Sequence, residues 1–480
     1  MLRRRHVLAG ALGTTLVGSC ARLTPYRPLG PMVAPATGKT VSVRLTAAER
    51  PTALPCFAGA TLPLWTFADG AWPPVIRLDL GDRLVTTLEN RLPRADEHTS
   101  VHWHGVRLPN SQDGVPYLVQ PPVRPGGSFR YTFSPPDAGT FFFHTHCNTV
   151  EQLGRGLVGV LIVDGDITEP YDADVLLLLR DWRIEPGSGR FAPFTTPRGA
   201  GRAGTYGPLR SVNGAIDPEI VLPAAGDCRL RLINADPTRI MQIGVEGAEA
   251  AIVAIDGIAL PPISLTEWSM GPANRLELVL RAPPPGGVAR LVDTAGGERV
   301  ELARLVGEGP PRRSPWFDPA PLRSSLIPLP DLGNAVRHDF RLQAADGGAA
   351  IASAGDPSAG PLGAICRSAR PLWGINERAW PDRADRLPAP IAVLERGRTY
   401  LFALKNETVF GHPLHIHGHY FTTLRSDQGD RPSHRTDTLL LRPGERMEVA
   451  FVADNPGDWM LHCHVIEHQE NGMMSYFRVA

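Results

Sequence analysis

The chain lacks an excess of charge of either sign. Its 49 lysines and arginines balance 49 aspartates and glutamates, and charged residues make up 20% of the 480 positions. Partners such as nucleic acids and anionic membrane surfaces are recognised by basic patches on a positively charged protein. The composition therefore gives no reason to expect a nucleic-acid partner.

Long apolar runs are also missing. The one apolar stretch near a terminus ends at Val17 and is too short to cross a bilayer, so no transmembrane segment is expected. It follows Arg4-Arg5-His6-Val7-Leu8, which looks like a twin-arginine export signal. We therefore predict a signal peptide and lead over residues 1–37 and a periplasmic protein. Val17-Gly18-Ser19-Cys20 also resembles a lipid-attachment site, which leaves a lipid anchor at Cys20 as an alternative.

Extended helical patterns are scarce as well. The chain contains 49 glycines and 48 prolines, which interrupt helices and favour turns between short strands. A length of 480 residues, at roughly 150 residues per domain, predicts about three domains. The expected fold class is therefore all-β.

One turn-and-strand pattern occurs three times. It consists of a glycine, an alternating apolar and polar strand, and a closing asparagine, at Gly81–Asn90, Gly226–Asn234 and Gly397–Asn406. Three copies of one pattern imply three related domains. The predicted boundaries are domain 1 at 38–165, domain 2 at 166–309, a linker at 310–332 rich in proline and arginine, and domain 3 at 333–480. The segment Gln343–Gly363, rich in alanine and glycine, is predicted to be a loop.

Cysteine is sparse, with six residues in the chain. Cys20 belongs to the predicted signal, and Cys463 stands among histidines. The other four can form two disulfides in any of three pairings in an oxidising compartment: Cys56, Cys147, Cys228 and Cys366.

The last twenty residues carry the strongest chemical signal. Cys463 lies between His462 and His464, and His468 and Met473 follow it. A thiolate, imidazoles and a thioether are ligands that favour copper, and Cys, His and a weak axial Met are those of a blue-copper site. Because neighbouring strand residues point to opposite faces, Cys463 is expected to hold one metal and the two flanking imidazoles another. A structural zinc site is the simpler alternative.

Four His-x-His pairs accompany this segment, two in each outer domain and none in the middle one. On strands, each pair would present both rings on one face, so eight imidazoles can converge where domains 1 and 3 meet. His412, set apart from the third pair by Pro413, can supply the second imidazole for Cys463. The pairs are His102 and His104, His144 and His146, His415 and His417, and His462 and His464.

These four motifs resemble the copper signatures of the three-domain multicopper oxidases, a laccase-like family. The resemblance implies three cupredoxin-like Greek-key β-sandwich domains and four copper ions, with domain 2 as a spacer without copper. It assigns the mononuclear type 1 copper to His412, Cys463, His468 and Met473. It assigns type 2 to His102 and His415, and the type 3 pair to His104, His144, His146, His417, His462 and His464. It further implies that a small-molecule reducing substrate gives up electrons at type 1 and that O2 is reduced to two waters at the other three.

Protons must also reach the oxygen site. Asp113 resembles the acid that assists proton delivery in this family, although Asp113-Gly114 also reads as a simple turn. The position after His468 is commonly glutamate in bacterial members and here is Gln469, which cannot deliver a proton. Glu470, Glu467 or water would take that part, so the predicted catalytic residues are Asp113, Cys463 and Glu470.

A laccase-like oxidase of phenols or aromatic amines, acting as a monomer, is the leading hypothesis. The first alternative is a cuprous oxidase for copper tolerance, whose family members carry Met-rich insertions; this chain has only 8 methionines and no cluster beyond Met473-Met474. The second is a relative that keeps the fold without copper and has a structural role.

Overall fold

The structure is a computed structural model that describes residues 38–185, 188–313, 317–344, 372–380, 387–429 and 431–480. In these stretches the chain forms thirty strands in six sheets and three short helices. The helices are α1 (Thr149–Gly154), α2 (Pro197–Ala200) and α3 (Ile466–Glu470). The predicted signal at 1–37, Cys20, Cys366 and most of the predicted loop at 343–363 lie outside the described residues.

The first sandwich spans residues 40–164. Its strands are β1 (Thr40–Thr52), β2 (Leu62–Thr66), β3 (Val75–Asp79), β4 (Arg83–Arg91), β5 (His102–His104), β6 (Ser128–Phe133), β7 (Gly139–His144) and β8 (Val158–Asp164). They form two sheets in the orders β2-β1-β4-β6 and β3-β8-β7-β5. Alternate residues of β4 are buried, as its sequence pattern predicts, whereas every residue of β7 is buried. Strand β7 therefore runs through the interior and ends at a histidine.

The second sandwich spans residues 173–308. Its strands are β9 (Ala173–Trp182), β10 (Leu209–Val212), β11 (Glu219–Pro223), β12 (Asp227–Asn234), β13 (Met241–Glu246), β14 (Ala250–Ile255), β15 (Ile258–Ser264), β16 (Trp268–Met270), β17 (Arg275–Arg281), β18 (Val288–Asp293) and β19 (Val300–Glu308). The sheet orders are β10-β9-β12-β17-β14-β15 and β11-β19-β18-β13-β16. Its apolar core is separate from that of the other two sandwiches.

The third sandwich spans residues 336–479. Its strands are β20 (Val336–Ala344), β21 (Trp373–Ile375), β22 (Ala392–Leu394), β23 (Thr399–Asn406), β24 (His412–Ile416), β25 (Phe421–Ser426), β26 (Arg435–Thr436), β27 (Thr438–Leu441), β28 (Arg446–Val452), β29 (Gly457–Cys463) and β30 (Met474–Val479). The sheet orders are β21-β20-β23-β28-β25-β26 and β22-β30-β29-β24-β27. One continuous cluster of buried apolar side chains joins this sandwich to the first.

The three copies of the repeated sequence pattern occupy equivalent places. They form β4, β12 and β23, and each pairs in parallel with the first strand of its sandwich and antiparallel with a later strand. The shared pattern thus encodes a shared topology. The predicted fold class, all-β with three cupredoxin-like sandwiches, is confirmed.

The two disulfides that the sequence allows are not formed. Cys56 and Cys228 are both free, buried thiols, so the four cysteines outside the metal motif cannot form two bridges. Burial disfavours the charged thiolate and raises the pKa of Cys56 to about 11 and that of Cys228 to about 12. Both side chains act as small apolar residues in packed cores.

Among the described helices, none has both the length and the apolar character that a bilayer span requires.

Candidate metal centre

The histidine pairs meet because the strands that carry them are paired. In the first sandwich β5 and β7 place His102 opposite His144, and in the third β24 and β29 place His415 opposite His462. Only the first His-x-His pair lies wholly within a strand; in the other three the strand or its pairing ends between the two histidines. The second ring of those pairs therefore projects from the strand end, and not from one flat strand face as the sequence predicted.

A small group lies inside the third sandwich. His412, Cys463 and His468 bring three candidate ligand atoms together. The Cys463 Sγ is 3.5 Å from His412 Nδ1 and 3.6 Å from His468 Nδ1, and the two nitrogens are 3.1 Å apart. Met473 is fully buried beside them: its carbonyl accepts from the Cys463 N–H, and its N–H donates to the His468 carbonyl.

The outer nitrogens of this group have partners in the protein. His412 Nε2 lies 2.7 Å from Thr408 Oγ1, and His468 Nε2 donates to the carbonyl of Arg202 in the second sandwich. Trp373 covers the His468 ring at a centroid distance of 4.3 Å. These contacts fix both rings with Nδ1 turned toward Cys463.

Eight further histidines form a second cluster between the first and third sandwiches. It divides into three groups, each of which contains histidines from both sandwiches, and two of the groups share His104. The Nε2 atoms of His417 and His462 are 3.1 Å apart, and those of His144 and His464 are 3.4 Å apart. The groups are His102, His104 and His415; His104, His144 and His464; and His146, His417 and His462.

Several of these rings have an outer nitrogen bonded to protein and an inner one without a partner. His102 Nδ1 lies 2.9 Å from the Asp113 carbonyl, and His415 Nδ1 lies 2.9 Å from the Asp437 carbonyl. Among the described residues, His102 Nε2, His104 Nδ1 and His415 Nε2 are buried and have no hydrogen-bond partner. Buried nitrogens without partners are costly in a protein interior unless they bind something, such as a metal ion.

Burial disfavours the charged form of most of the candidate ligand imidazoles of the two sites, which leaves them neutral and ready to bind a cation. It lowers the pKa of seven of them well below the usual histidine value, and that of His415 to a smaller extent because Asp437 opposes the shift. Burial also lowers the pKa of His468 to about 4 and raises that of the Cys463 thiol. Copper bound to this thiol would favour the thiolate. The seven are His104, His144, His146, His412, His417, His462 and His464.

Comparison with known proteins gives this arrangement a family. Two family models, both described as multicopper oxidase, match residues 52–167 and 369–480. A crystal structure of a multicopper oxidase from Pseudomonas thermotolerans has 36% sequence identity, covers 92% of this chain and 100% of its own, and superposes with a TM-score of 0.81. The chain belongs to the multicopper oxidase family.

Two named relatives are more distant in sequence. The multicopper oxidase MmcO of Mycobacterium tuberculosis is 28% identical over 97% of this chain and 92% of its own length. Laccase-1 of Botryotinia fuckeliana is 26% identical over 87% of this chain and 79% of its own. This multicopper oxidase therefore resembles its family over nearly its whole length, and the donor set described above fits copper.

Asp113 lies directly at the cluster of this multicopper oxidase. Its Oδ2 is 2.8 Å from His417 Nδ1, and its Oδ1 is 3.3 Å from His102 Nδ1. The turn that the sequence predicts at Asp113-Gly114 is also present. Gly114 has φ +82°, and a Cβ there would come within 1.8 Å of the Val101 carbonyl oxygen. The turn and the contacts with histidine are thus two properties of one element.

Glu470 is the last residue of α3, and its carboxylate contacts α1. Its Oε1 accepts from the N–H of Val150 in α1, 2.9 Å away. Burial raises its pKa to about 7, and hydrogen bonds from Val150 and Thr149 oppose that shift. Gln469, beside it, has a buried Oε1 with no partner among the described residues.

Sequence motifs did not point to the second sandwich, yet it reaches both sites. Arg275, at the start of β17, pairs with Asp437, which contacts the cluster histidines. The segment 196–205, hereafter the strap, covers His468 through the Arg202 carbonyl. Neither Arg275 nor Arg202 lies in a recognisable metal motif, and both act on sites that other sandwiches carry, so only the fold reveals them.

Proposed function

We propose that this multicopper oxidase couples four one-electron oxidations of an organic donor to reduction of O2 to two waters. It would hold four copper ions, with the type 1 ion at His412, Cys463, His468 and Met473. Type 2 would take His102 and His415. The type 3 pair would take His104, His144, His146, His417, His462 and His464.

One observation carries this proposal. Cys463 belongs to the small group, while its two chain neighbours, His462 and His464, belong to two different groups of the larger cluster. Copper in these places would accept electrons singly and reduce dioxygen. The protein then contributes a covalent path of a few bonds between the donor side and the oxygen side.

The surrounding residues exclude water from both sites and fix the orientation of the ligand rings. The ligand imidazoles are at most 2% exposed, which keeps bulk water from the candidate metal positions. Hydrogen bonds at the outer nitrogens of several of these rings fix their tautomers, so little reorganisation is needed when a cation binds.

We propose Asp113 and Glu470 as the groups that handle protons. Asp113 contacts cluster rings directly and can hold a proton within 2.8 Å of His417 Nδ1. Glu470 has a pKa of about 7 and so exists in both protonation states near neutral pH. Glu467 is not available for this part, because its carboxylate accepts hydrogen bonds from the strap and Arg183.

Phenols or aromatic amines are the proposed donors, supported by the laccase among the relatives. A cuprous oxidase is the second candidate within the same family, disfavoured by the low methionine content. We further propose that the three sandwiches are the three predicted domains, the middle one holding no copper. Export as a periplasmic monomer, directed by the segment 1–37, completes the proposal, and a lipid anchor at Cys20 is its alternative form.

The test is elemental analysis of copper-reconstituted protein together with oxygen uptake. Four copper atoms per chain, a blue thiolate absorption band, and one O2 consumed for every four phenol molecules oxidised by one electron are expected. A panel of phenols, aromatic amines and Cu(I) separates the two candidate functions. Copper far below four per chain together with no oxygen uptake would favour the structural alternative.

A further inference from the structure

The second sandwich sends one charged side chain to the larger histidine cluster. Arg275 is fully buried, and its guanidinium forms two parallel hydrogen bonds with the Asp437 carboxylate between β26 and β27. The Nη1–Oδ1 distance is 2.9 Å. A bidentate arginine–carboxylate pair fixes the orientation of the carboxylate as well as its position.

Asp437 in turn contacts two rings from different sandwiches. Its Oδ1 is 3.2 Å from His104 Nε2, and its backbone carbonyl is 2.9 Å from His415 Nδ1. The two rings stack at a centroid distance of 3.7 Å. The Thr438 hydroxyl, which donates to Asp437 Oδ1, also lies 3.1 Å from each of the two outer nitrogens. With their outer nitrogens bonded to this Asp437–Thr438 pair, His104 Nδ1 and His415 Nε2 are left as the lone-pair nitrogens, and both belong to one candidate metal group.

Arg275 is itself fixed from its own sandwich. Its guanidinium donates to the carbonyls of Ala273 and Asp256, each at 3.0 Å, and its backbone N–H donates to Asp256 Oδ1 at 2.8 Å. The next residue after His104 must be glycine, because a Cβ at Gly105 would lie 2.2 Å from Arg275 Nη2. The guanidinium therefore fills the space directly behind His104.

Charge favours the same arrangement. Both carboxylate oxygens of Asp437 accept hydrogen bonds from the Arg275 guanidinium, which is positively charged and has only donors. A carboxylate paired in this way offers only acceptor oxygens to its other neighbours, so the imidazole nitrogens that face Asp437 must carry the protons.

We propose that Arg275 is a positioning residue for the oxygen-reducing copper cluster: through Asp437 it fixes the tautomers of His104 and His415 so that both present lone pairs to copper. This inference rests on the proposed function, since it takes these histidines as copper ligands. It gives the middle sandwich a part in the copper site that goes beyond spacing the outer two.

The competing explanation is a structural ion pair between sandwiches. Arg229 provides the matched control, because it is equally buried in the second sandwich and pairs with Asp166 and Glu277. Among the described residues, no hydrogen bond joins these three to a candidate metal ligand, whereas Asp437 bonds to His104 and His415. Removing one partner of either pair should destabilise the fold. Only the Arg275 pair should also change the copper site.

The experiment compares Arg275→Lys, Arg229→Lys and Asp437→Asn in the full-length protein. Lysine keeps the charge but loses the planar two-point contact, so it preserves folding better than a neutral residue. Affinity for cluster copper, measured by competition with a chelator, should fall about 10- to 100-fold in Arg275→Lys and Asp437→Asn, as for other losses of groups that orient metal ligands. The thiolate absorption of type 1 copper should stay unchanged.

A second readout needs no copper. In copper-free protein, ¹⁵N-histidine NMR should show that the His104 ring is protonated at Nε2 and hydrogen-bonded to a carboxylate. That signal should shift in Arg275→Lys and in Asp437→Asn but not in Arg229→Lys. If wild type binds four coppers and Arg275→Lys matches Arg229→Lys in affinity and spectrum, the positioning role is overturned and the proposed function stands. If wild type binds no copper, the proposed function itself fails.

Discussion

His468 donates its outer N–H to the backbone carbonyl of Arg202, so the strap of the second sandwich covers that edge of the ring. At the proposed type 1 site, this is the edge that would face a substrate. Glu467, the residue before His468, holds the strap in place through hydrogen bonds. That buried carboxylate accepts from Thr205 Oγ1 at 2.8 Å and from the Thr196 N–H at 3.3 Å, and Arg183 Nη2 lies 3.1 Å from it. Access to His468 therefore depends on how firmly Glu467 holds the strap.

We expect Glu467→Gln to loosen the strap. Hydrogen bonds to a charged group contribute roughly 1.5–3 kcal/mol, and each 1.4 kcal/mol corresponds to about a tenfold change in the open population. Amide hydrogen exchange over residues 196–205 should accelerate about tenfold, and the KM for 2,6-dimethoxyphenol should fall. Glu185→Gln is the control, because that exposed glutamate pairs only with Arg190 among the described residues. Faster exchange with an unchanged KM would show that the strap does not restrict this donor.

Asp113→Asn should slow oxygen reduction without removing copper. Asparagine keeps the volume and one acceptor oxygen facing His417, but it cannot take up a proton. General acid–base groups typically contribute 10²–10⁴-fold, so kcat should fall by about two orders of magnitude or more. Asp137→Asn is the matched control, since Asp137 is as buried in the same sandwich and bonds to Arg107. Equal losses of kcat in the two variants would mean that Asp113 serves only its turn.

Met473→Leu should raise the type 1 reduction potential. Met473 is fully buried next to Cys463 and His468, and its thioether would donate electron density to a copper ion bound there. Leucine has a similar volume, so the free energy of unfolding should change by less than about 1.5 kcal/mol. A redox titration that follows the thiolate absorption measures the midpoint, and an unchanged or lower midpoint would contradict axial ligation.

How far the sequence predicts this molecule depends on whether a feature is local. The repeated turn-and-strand pattern predicts β4, β12 and β23, and the alternation around Cys463 predicts that it faces a different group from His462 and His464. The Arg275–Asp437 and Arg202–His468 contacts join residues 162 and 266 positions apart, so no local pattern encodes them. The sequence left two disulfides possible for a related reason: composition counts cysteines, but only the fold places Cys56 and Cys228 in separate apolar cores.

Copper-free protein should lose stability steeply as the pH falls below neutral. The pKa of His468 is about 4 in the folded state, and seven other candidate ligands have pKa values well below the usual range, because burial disfavours the charged ring. The unfolded chain takes up these protons near pH 6.5, its ordinary histidine value.

The sign follows from proton uptake in the two states. Above about pH 6.5 the rings are neutral in both, and the full stability is present. Below that pH the unfolded chain binds protons that the folded chain does not bind, so each such histidine lowers the free energy of unfolding by about 1.4 kcal/mol per pH unit until its folded pKa is reached.

Urea unfolding at pH 8, 7, 6 and 5.5 should show that the free energy of unfolding falls by several kcal/mol over the last two steps. The control is His98→Gln, at a partly exposed surface turn, which should leave the dependence of stability on pH unchanged. Because bound copper occupies the lone pairs, the reconstituted protein should keep its stability to lower pH; identical curves with and without copper would mean that these imidazoles are not the ligands.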